Sequence, residues 1–122
     1  MQSEIIGLLN AFRAANGKNA LPEDSALMAS ALGYAKSMIP LFEHIEHGVV
    51  SLHTKEEERT NWKFELNGFG HSADATAFAK ELLENWLEEN ATYRKWVLEA
   101  GEAIGVGLAA KGDRVFLAVR LR

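Results

Sequence analysis

Apolar and small residues alternate most regularly over the last stretch of the chain, Ala103 to Arg122. Ile104, Val106 and Leu108 alternate with Gly105, Gly107 and Ala109. Beyond Lys111-Gly112-Asp113, Val115, Leu117, Val119 and Leu121 alternate with Phe116, Ala118 and Arg120. Period-two spacing around a glycine-containing turn predicts a β-hairpin. A sheet with one wet face carries polar residues at every second position. Here both faces are largely apolar or small, so the hairpin is expected to lie between two layers.

Upstream the apolar spacing becomes helical. Ile5, Leu8, Leu9 and Phe12 share one face of a first helix, with Ser3 as the expected cap, Glu4 in the first turn and Asn16-Gly17 as the stop. Leu21 to Ser25 opens a second helix, with Pro22 near its start. Its stripe of Leu27, Ala31, Ala35 and Met38 is mostly small, which suits a central helix in close contact with another element. Pro40 marks its end or a kink.

The pattern weakens from Leu41 to Gly70. Glu43 to His47 suits a short helical turn, Val49 to Leu52 a short strand, and Lys55 to Arg59 a solvated charge run. Trp62, Phe64 and Leu66 alternate with Lys63 and Glu65, predicting a third, edge strand. Asn67-Gly68-Phe69-Gly70 reads as loop. Ser72 is the expected cap of a helix that buries Ala75, Phe78, Leu82, Leu83 and Trp86. Asn90-Ala91-Thr92 interrupts it, Tyr93 to Leu98 forms a short helix, and Gly101 leads into the hairpin. The chain shows no internal repeat. Helices do not alternate with strands as parallel βαβ units would require. The expected class is α+β: a single domain over residues 1–122, a three-layer α-β-α sandwich whose small antiparallel sheet ends in the C-terminal hairpin.

Composition narrows the partners. The 122 residues are 48% apolar and 25% charged, an ordinary globular balance. A net charge of -4 offers no basic footprint for nucleic acid. No apolar run approaches the ~20 residues of a membrane span. Gln2, Ser3 and Glu4 follow Met1 where a secretory leader would be basic and then apolar. The expectation is a cytosolic chain, or a chain whose leader has been trimmed. The absence of cysteine excludes disulfides and thiolate chemistry.

Several spacings go together. Asn10-x-x-Arg13-Ala14 is followed by Gly17 and Leu21; Leu27, Ala31, Ala35 and Met38 stripe the second helix. Trp86 follows an amphipathic run, then come Tyr93-Arg94 and Ile104-Gly105-Val106-Gly107. In these features the chain resembles the CAP superfamily of cysteine-rich secretory proteins, antigen 5 and plant pathogenesis-related proteins, in its short cysteine-free bacterial branch. The resemblance implies a cleft lined by two histidines and two acidic residues, which in some members hold a divalent metal. The first cleft histidine would be His44, His47 or His53, the last within Ser51-Leu52-His53-Thr54. The second falls at Tyr93, which cannot act as a neutral imidazole ligand. Glu65 stands the right distance before Gly70 for the family's G-E-N acid, but Phe64 and Leu66 replace its Gly and Asn. Leu117-Ala118-Val119 replaces the polar pair usual on the last strand. The resemblance therefore implies a degraded or re-purposed cleft, with Glu65 and Tyr93 facing one cavity.

The chemistry on offer is sparse. His44-x-x-His47 places two imidazoles on one helical face, with Glu43, Glu46 or Glu65 as further ligands for a divalent metal such as zinc. Two histidines in a solvated loop explain the same spacing without a metal. Glu65 with one of these histidines is the only acid–base pair to motivate; a salt-bridged strand glutamate is the plainer reading. His71 reads as a loop residue before a cap. Trp86 suits the core, and Trp62 or Trp96 a ligand groove. G-x-S-x-G, H-E-x-x-H and phosphate-loop motifs are absent. The expected function is a non-enzymatic binding module with a cleft at His44, His47 or His53, Glu65 and Tyr93, for a small molecule, lipid or peptide. A metal-dependent hydrolase and a structural or oligomerisation module are the alternatives.

Overall fold

The computed structural model describes residues 2–42 and 61–122. The expected turn at 43–47 with His44 and His47, the expected strand at 49–52, His53 and the charge run at 55–59 lie outside the described residues. The described elements run in the order α1 (Gln2–Ala15), α2 (Ser25–Met38), a 3-10 turn (Ile39–Phe42), β1 (Phe64–His71), α3 (Ala75–Glu89), α4 (Ala91–Glu99), β2 (Ile104–Lys111) and β3 (Arg114–Leu121).

The strands form an antiparallel sheet in the order β1-β3-β2. Leu121 faces Phe64 on one side and Ile104 on the other, and Arg114 faces His71 and Lys111. Gly112-Asp113 closes the expected hairpin as a two-residue turn, with Gly112 at φ 63°.

Both faces of the hairpin are covered, as its composition requires. On one face, Ala31, Ala35 and Met38 of α2 pack on Phe69, Phe116 and Ala118. On the other, Ile5 and Leu9 of α1, Leu83 and Trp86 of α3, and Tyr93 and Val97 of α4 cover Leu66, Val106, Val119 and Leu121. The result is the three-layer α-β-α sandwich with its C-terminal hairpin. Each fully buried Leu or Val contributes roughly 1.5–3 kcal/mol. The small residues on the α2 face of β2 are a packing requirement. A Cβ on Gly105 would strike the Leu27 backbone, and one on Gly107 the backbone of Ala31 and Leu32.

Local chemistry shifts three expected helix boundaries. The first helix begins at Gln2, so Ser3 lies inside its first turn rather than capping it. The second is capped by Asp24, whose Oδ1 accepts the Leu27 N–H at 2.9 Å. Pro22 lies outside that helix; its carbonyl accepts from Ile104 N at 3.0 Å, tying the approach segment to the start of β2. The third is capped by Asp74, not Ser72; Ser72 Oγ accepts the Asp74 N–H at 3.1 Å.

A larger difference concerns Asn67 to Gly70, which is strand and not loop. The glycines lie where α3 presses on β1. A Cβ on Gly68 would come within 2.7 Å of Leu82 Cδ2, and one on Gly70 would meet the Phe78 ring. Glycine here makes room for a neighbour, a use that local sequence does not separate from a turn.

Asn10 and Arg13 are fold-holding residues. Asn10 Oδ1 accepts the Leu21 N–H at 2.9 Å, fixing the chain between α1 and α2. Arg13 is 3% exposed. Its Nε donates to Asn19 O at 2.9 Å, and its Nη1 donates to the carbonyls of Val97 and Ala100 at the end of α4. Burial pulls this guanidinium below the ordinary arginine range.

Candidate functional site

Side chains on a strand alternate between faces, and the phase of β1 decides where its chemistry points. Leu66 enters the core beneath α1, α3 and α4, and Phe69 packs under α2. Glu65 and Asn67 share the phase of Phe69, so both point toward the α2 layer. Arg120, opposite Glu65 on β3, shares the phase of Phe116 and Ala118. A polar cluster thus forms on an otherwise apolar face.

Glu65 and Asn67 are buried, at 5% and 0% exposure. Glu65 Oε2 accepts from Arg120 Nε at 2.7 Å, and Oε1 accepts from Asn67 Nδ2 at 2.8 Å. Arg120 Cζ lies 4.9 Å from the ring centroid of Tyr34 on α2 and 4.8 Å from that of Trp62. A guanidinium over two aromatic faces is held by their quadrupoles, each contact contributing roughly 0.5–2 kcal/mol. A carboxylate this buried requires a charge partner and hydrogen bonds; Arg120 and Asn67 supply both. Glu65 is therefore the salt-bridged strand glutamate of the plainer sequence reading.

Tyr93 lies on the other side of the sheet. It is 2% exposed, edge-on to Trp86 at 5.1 Å and tilted against Trp96 at 5.5 Å. The expected cavity shared by Glu65 and Tyr93 is therefore not formed: the strand phase sends Glu65 toward α2, while α4 places Tyr93 in the opposite layer. Tyr93 serves the core. Of the other expected site residues, His44, His47 and His53 lie outside the described residues.

Among the described residues no three His, Asp or Glu side chains cluster as metal ligands. The described acid of the cluster also has a cationic guanidinium 2.7 Å away. That arrangement suits an ion pair better than a divalent cation, so the described residues alone do not fit a metal centre. His71 ends β1 instead of lying in a loop. Its ring is edge-on to Phe69 at 5.3 Å, and its buried Nδ1 has no hydrogen-bond partner among the described residues.

A family model described as the cysteine-rich secretory protein family, CAP, matches residues 6–119. The chain belongs to this family. The CAP domain is also similar to a solved cysteine-rich secretory protein from Staphylococcus aureus subsp. aureus Mu50, at 16% identity and a TM-score of 0.49. That match covers 98% of this chain and 37% of the staphylococcal one, so the chain spans well under half of that protein's length. No curated protein sequence matches it. Among the described residues, no helix of this CAP domain is long and apolar enough to cross a membrane.

Three side chains of the cluster escaped the reading of motifs. Arg120 looked like one polar position in an apolar strand, Asn67 like a loop residue, and Tyr34 was not singled out. The available signal was Arg120 itself, the only charge among the alternating residues from Val115 to Leu121. A lone arginine between apolar positions of a strand covered on both faces requires a buried partner. Trp62 does line a cavity, of about 530 Å³, shared with Lys63, Glu102 and Arg122. Trp86 is core, and Trp96 is stacked on Phe64 at 5.6 Å.

Proposed function

We propose that this CAP domain is a non-catalytic binding module whose ligand site lies on the α2 side of the sheet, around Glu65, Arg120, Tyr34 and Trp62. The ligand class is a small molecule, lipid or peptide. One observation carries the reading: each oxygen of the Glu65 carboxylate already accepts a hydrogen bond, one from Arg120 and one from Asn67. A divalent cation at this carboxylate would meet the positive charge of a guanidinium 2.7 Å away. An ion pair flanked by aromatic rings instead provides a rigid, partly apolar recognition surface.

The competing reading, a metal-dependent hydrolase, requires metal-bound water. Titration with Zn²⁺ while following thermal unfolding separates the two. A ligand that binds only the folded state raises the midpoint, by about 2.7 kcal/mol of stability at a hundredfold excess over Kd. The binding-module reading predicts an unchanged midpoint. A rise that a chelator reverses would transfer the site to the metal-dependent reading.

A further inference from the structure

We propose that the outer edge of β2 is a docking strand for an extended acidic peptide segment, which joins the sheet beside Leu108 and Ala110. This edge is the one remote from β1. It stands apart from the Glu65 cluster and goes beyond the reading of that cluster.

The pairing of β2 with β3 fixes which backbone groups point outward. Just before the strand, Ala103 N donates to Arg122 O and Arg122 N donates to Ala103 O, each at 3.0 Å. Ile104 faces the other way. Its N–H donates to Pro22 O at 3.0 Å, and its carbonyl accepts from Asp24 N at 3.0 Å. Paired and outward residues alternate along an antiparallel ladder. Gly105, Gly107, Ala109 and Lys111 therefore turn their backbone groups to β3, while Val106, Leu108 and Ala110 direct N–H and C=O away from it. The start of this edge is covered by residues 22–24, and then by Met28, whose Sδ accepts from Val106 N at 3.1 Å. Past Val106 the cover ends. Among the described residues, no hydrogen bond reaches the outward backbone groups of Leu108 or Ala110.

The same stretch opens on a cavity of about 360 Å³, with Leu108, Ala110 and Lys111 on its β2 side and Lys36, Ile39 and Pro40 across from them. Ala110 is exposed. A bare strand edge takes another strand, because an extended chain repeats its donors and acceptors every second residue, about 7 Å apart, as the edge does.

The walls of the cavity select the sequence of that strand. Ile39 and Pro40 supply apolar surface. Lys36 and Lys111 supply positive charge, on a chain whose net charge is -4. No carboxylate is among the described residues of the lining. Acidic residues alternating with apolar ones are the complement. A second copy of the chain is a poorer occupant. Two-fold pairing repeats one surface, so both copies would bring the same two lysines to the same short edge.

The probe is a short blocked peptide alternating glutamate and valine; its control carries lysine in place of glutamate, at matched ionic strength. Amide exchange and amide NMR signals are followed on the intact chain. In the free chain the Ala110 amide is expected to exchange faster than that of Ala109, which is bound in the ladder. Saturating acidic peptide is expected to move the Leu108 and Ala110 signals and slow their exchange by about tenfold or more, with the lysine peptide weaker by a similar factor. Ala110→Pro removes an outward N–H, a substitution that sheet edges tolerate, and is expected to abolish the slowing at Leu108. If that variant does not fold, the amides of the unsubstituted chain decide. Lys36→Glu is expected to reverse the preference between the two peptides. Ala110 and Ala109 exchanging equally slowly in the free chain would overturn an open edge. Slowing that grows with protein concentration alone, together with a dimer in sedimentation, would overturn the peptide in favour of a second copy. Equal effects of the two peptides, or a preference unchanged in Lys36→Glu, would overturn the acidic selection. Leu108 and Ala110 signals unmoved by either peptide would overturn the docking strand itself. The Zn²⁺ titration bears only on the Glu65 cluster and decides that reading separately.

Discussion

Asp24 joins a local task to a distant one. Its Oδ1 accepts the Leu27 N–H at 2.9 Å as the cap of α2, and its Oδ2 accepts from Arg122 Nη2 at 3.1 Å. The Leu27 N–H first, and then the Arg122 hydrogen bond, hold its carboxyl below the usual carboxylate range. A depressed carboxyl stabilises the fold above its unfolded pKa of about 3.9, and that contribution disappears as pH falls through the lower folded value. Asp24→Asn keeps a good cap but removes the charge. Its melting midpoint is expected to lie below that of the unsubstituted chain near neutral pH, with the gap closing as pH falls below about 4. A gap that stayed constant down to low pH would show that charge is not the source. The same residue scale explains why Asp24 and Asp74 cap, where Pro22 and Ser72 stood out in the sequence. The acceptor that caps is the one whose oxygen reaches the N–H three residues on.

At the level of elements, the contact between α2 and the hairpin depends on side chains that are absent. Gly107 lies against the α2 backbone at Ala31 and Leu32, and backbone does not rotate out of the way as a side chain does. Gly107→Val is expected to destabilise the domain by about 3 kcal/mol or more in a denaturant melt. Gly33, on the exposed side of α2, has nothing within 4 Å of its Cβ position. Gly33→Ala is expected to be neutral or stabilising by up to about 1 kcal/mol, since alanine is the better helix former. Similar losses at both positions would show that the close approach does not limit packing. The I-G-V-G spacing that pointed to the family is thus the imprint of helix-on-sheet contact. The I-G-V-G alternation and the small stripe of α2 were legible together because each implies a close neighbour. Gly68 and Gly70 were not, because glycine in a turn and glycine beneath a helix look alike until the helix is in place.

In the whole molecule, β3 is the keystone. It pairs along its length with β1 on one side and β2 on the other, and Val115 to Val119 are all buried. Amide exchange should therefore be slowest at Leu117 and Val119, at rates set by global unfolding, with β1 and β2 opening more readily at their outer edges. Amides of β1 exchanging as slowly as those of β3 would contradict that ranking. The pattern of apolar positions by itself determined the class, the element order and a hairpin covered on both sides. These follow from periodicity and from the lack of a wet face, both local properties of the chain. Only the tertiary structure decided which candidate residues meet. Glu65 and Tyr93 are 28 positions apart in sequence, and the phase of one strand and the docking of one helix send them to opposite layers. The same packing brings Arg120 to Glu65 across 55 positions and encloses it between Tyr34 and Trp62. No local spacing encodes such a meeting, because it arises from register and layer assignment, which are settled only when the whole core closes.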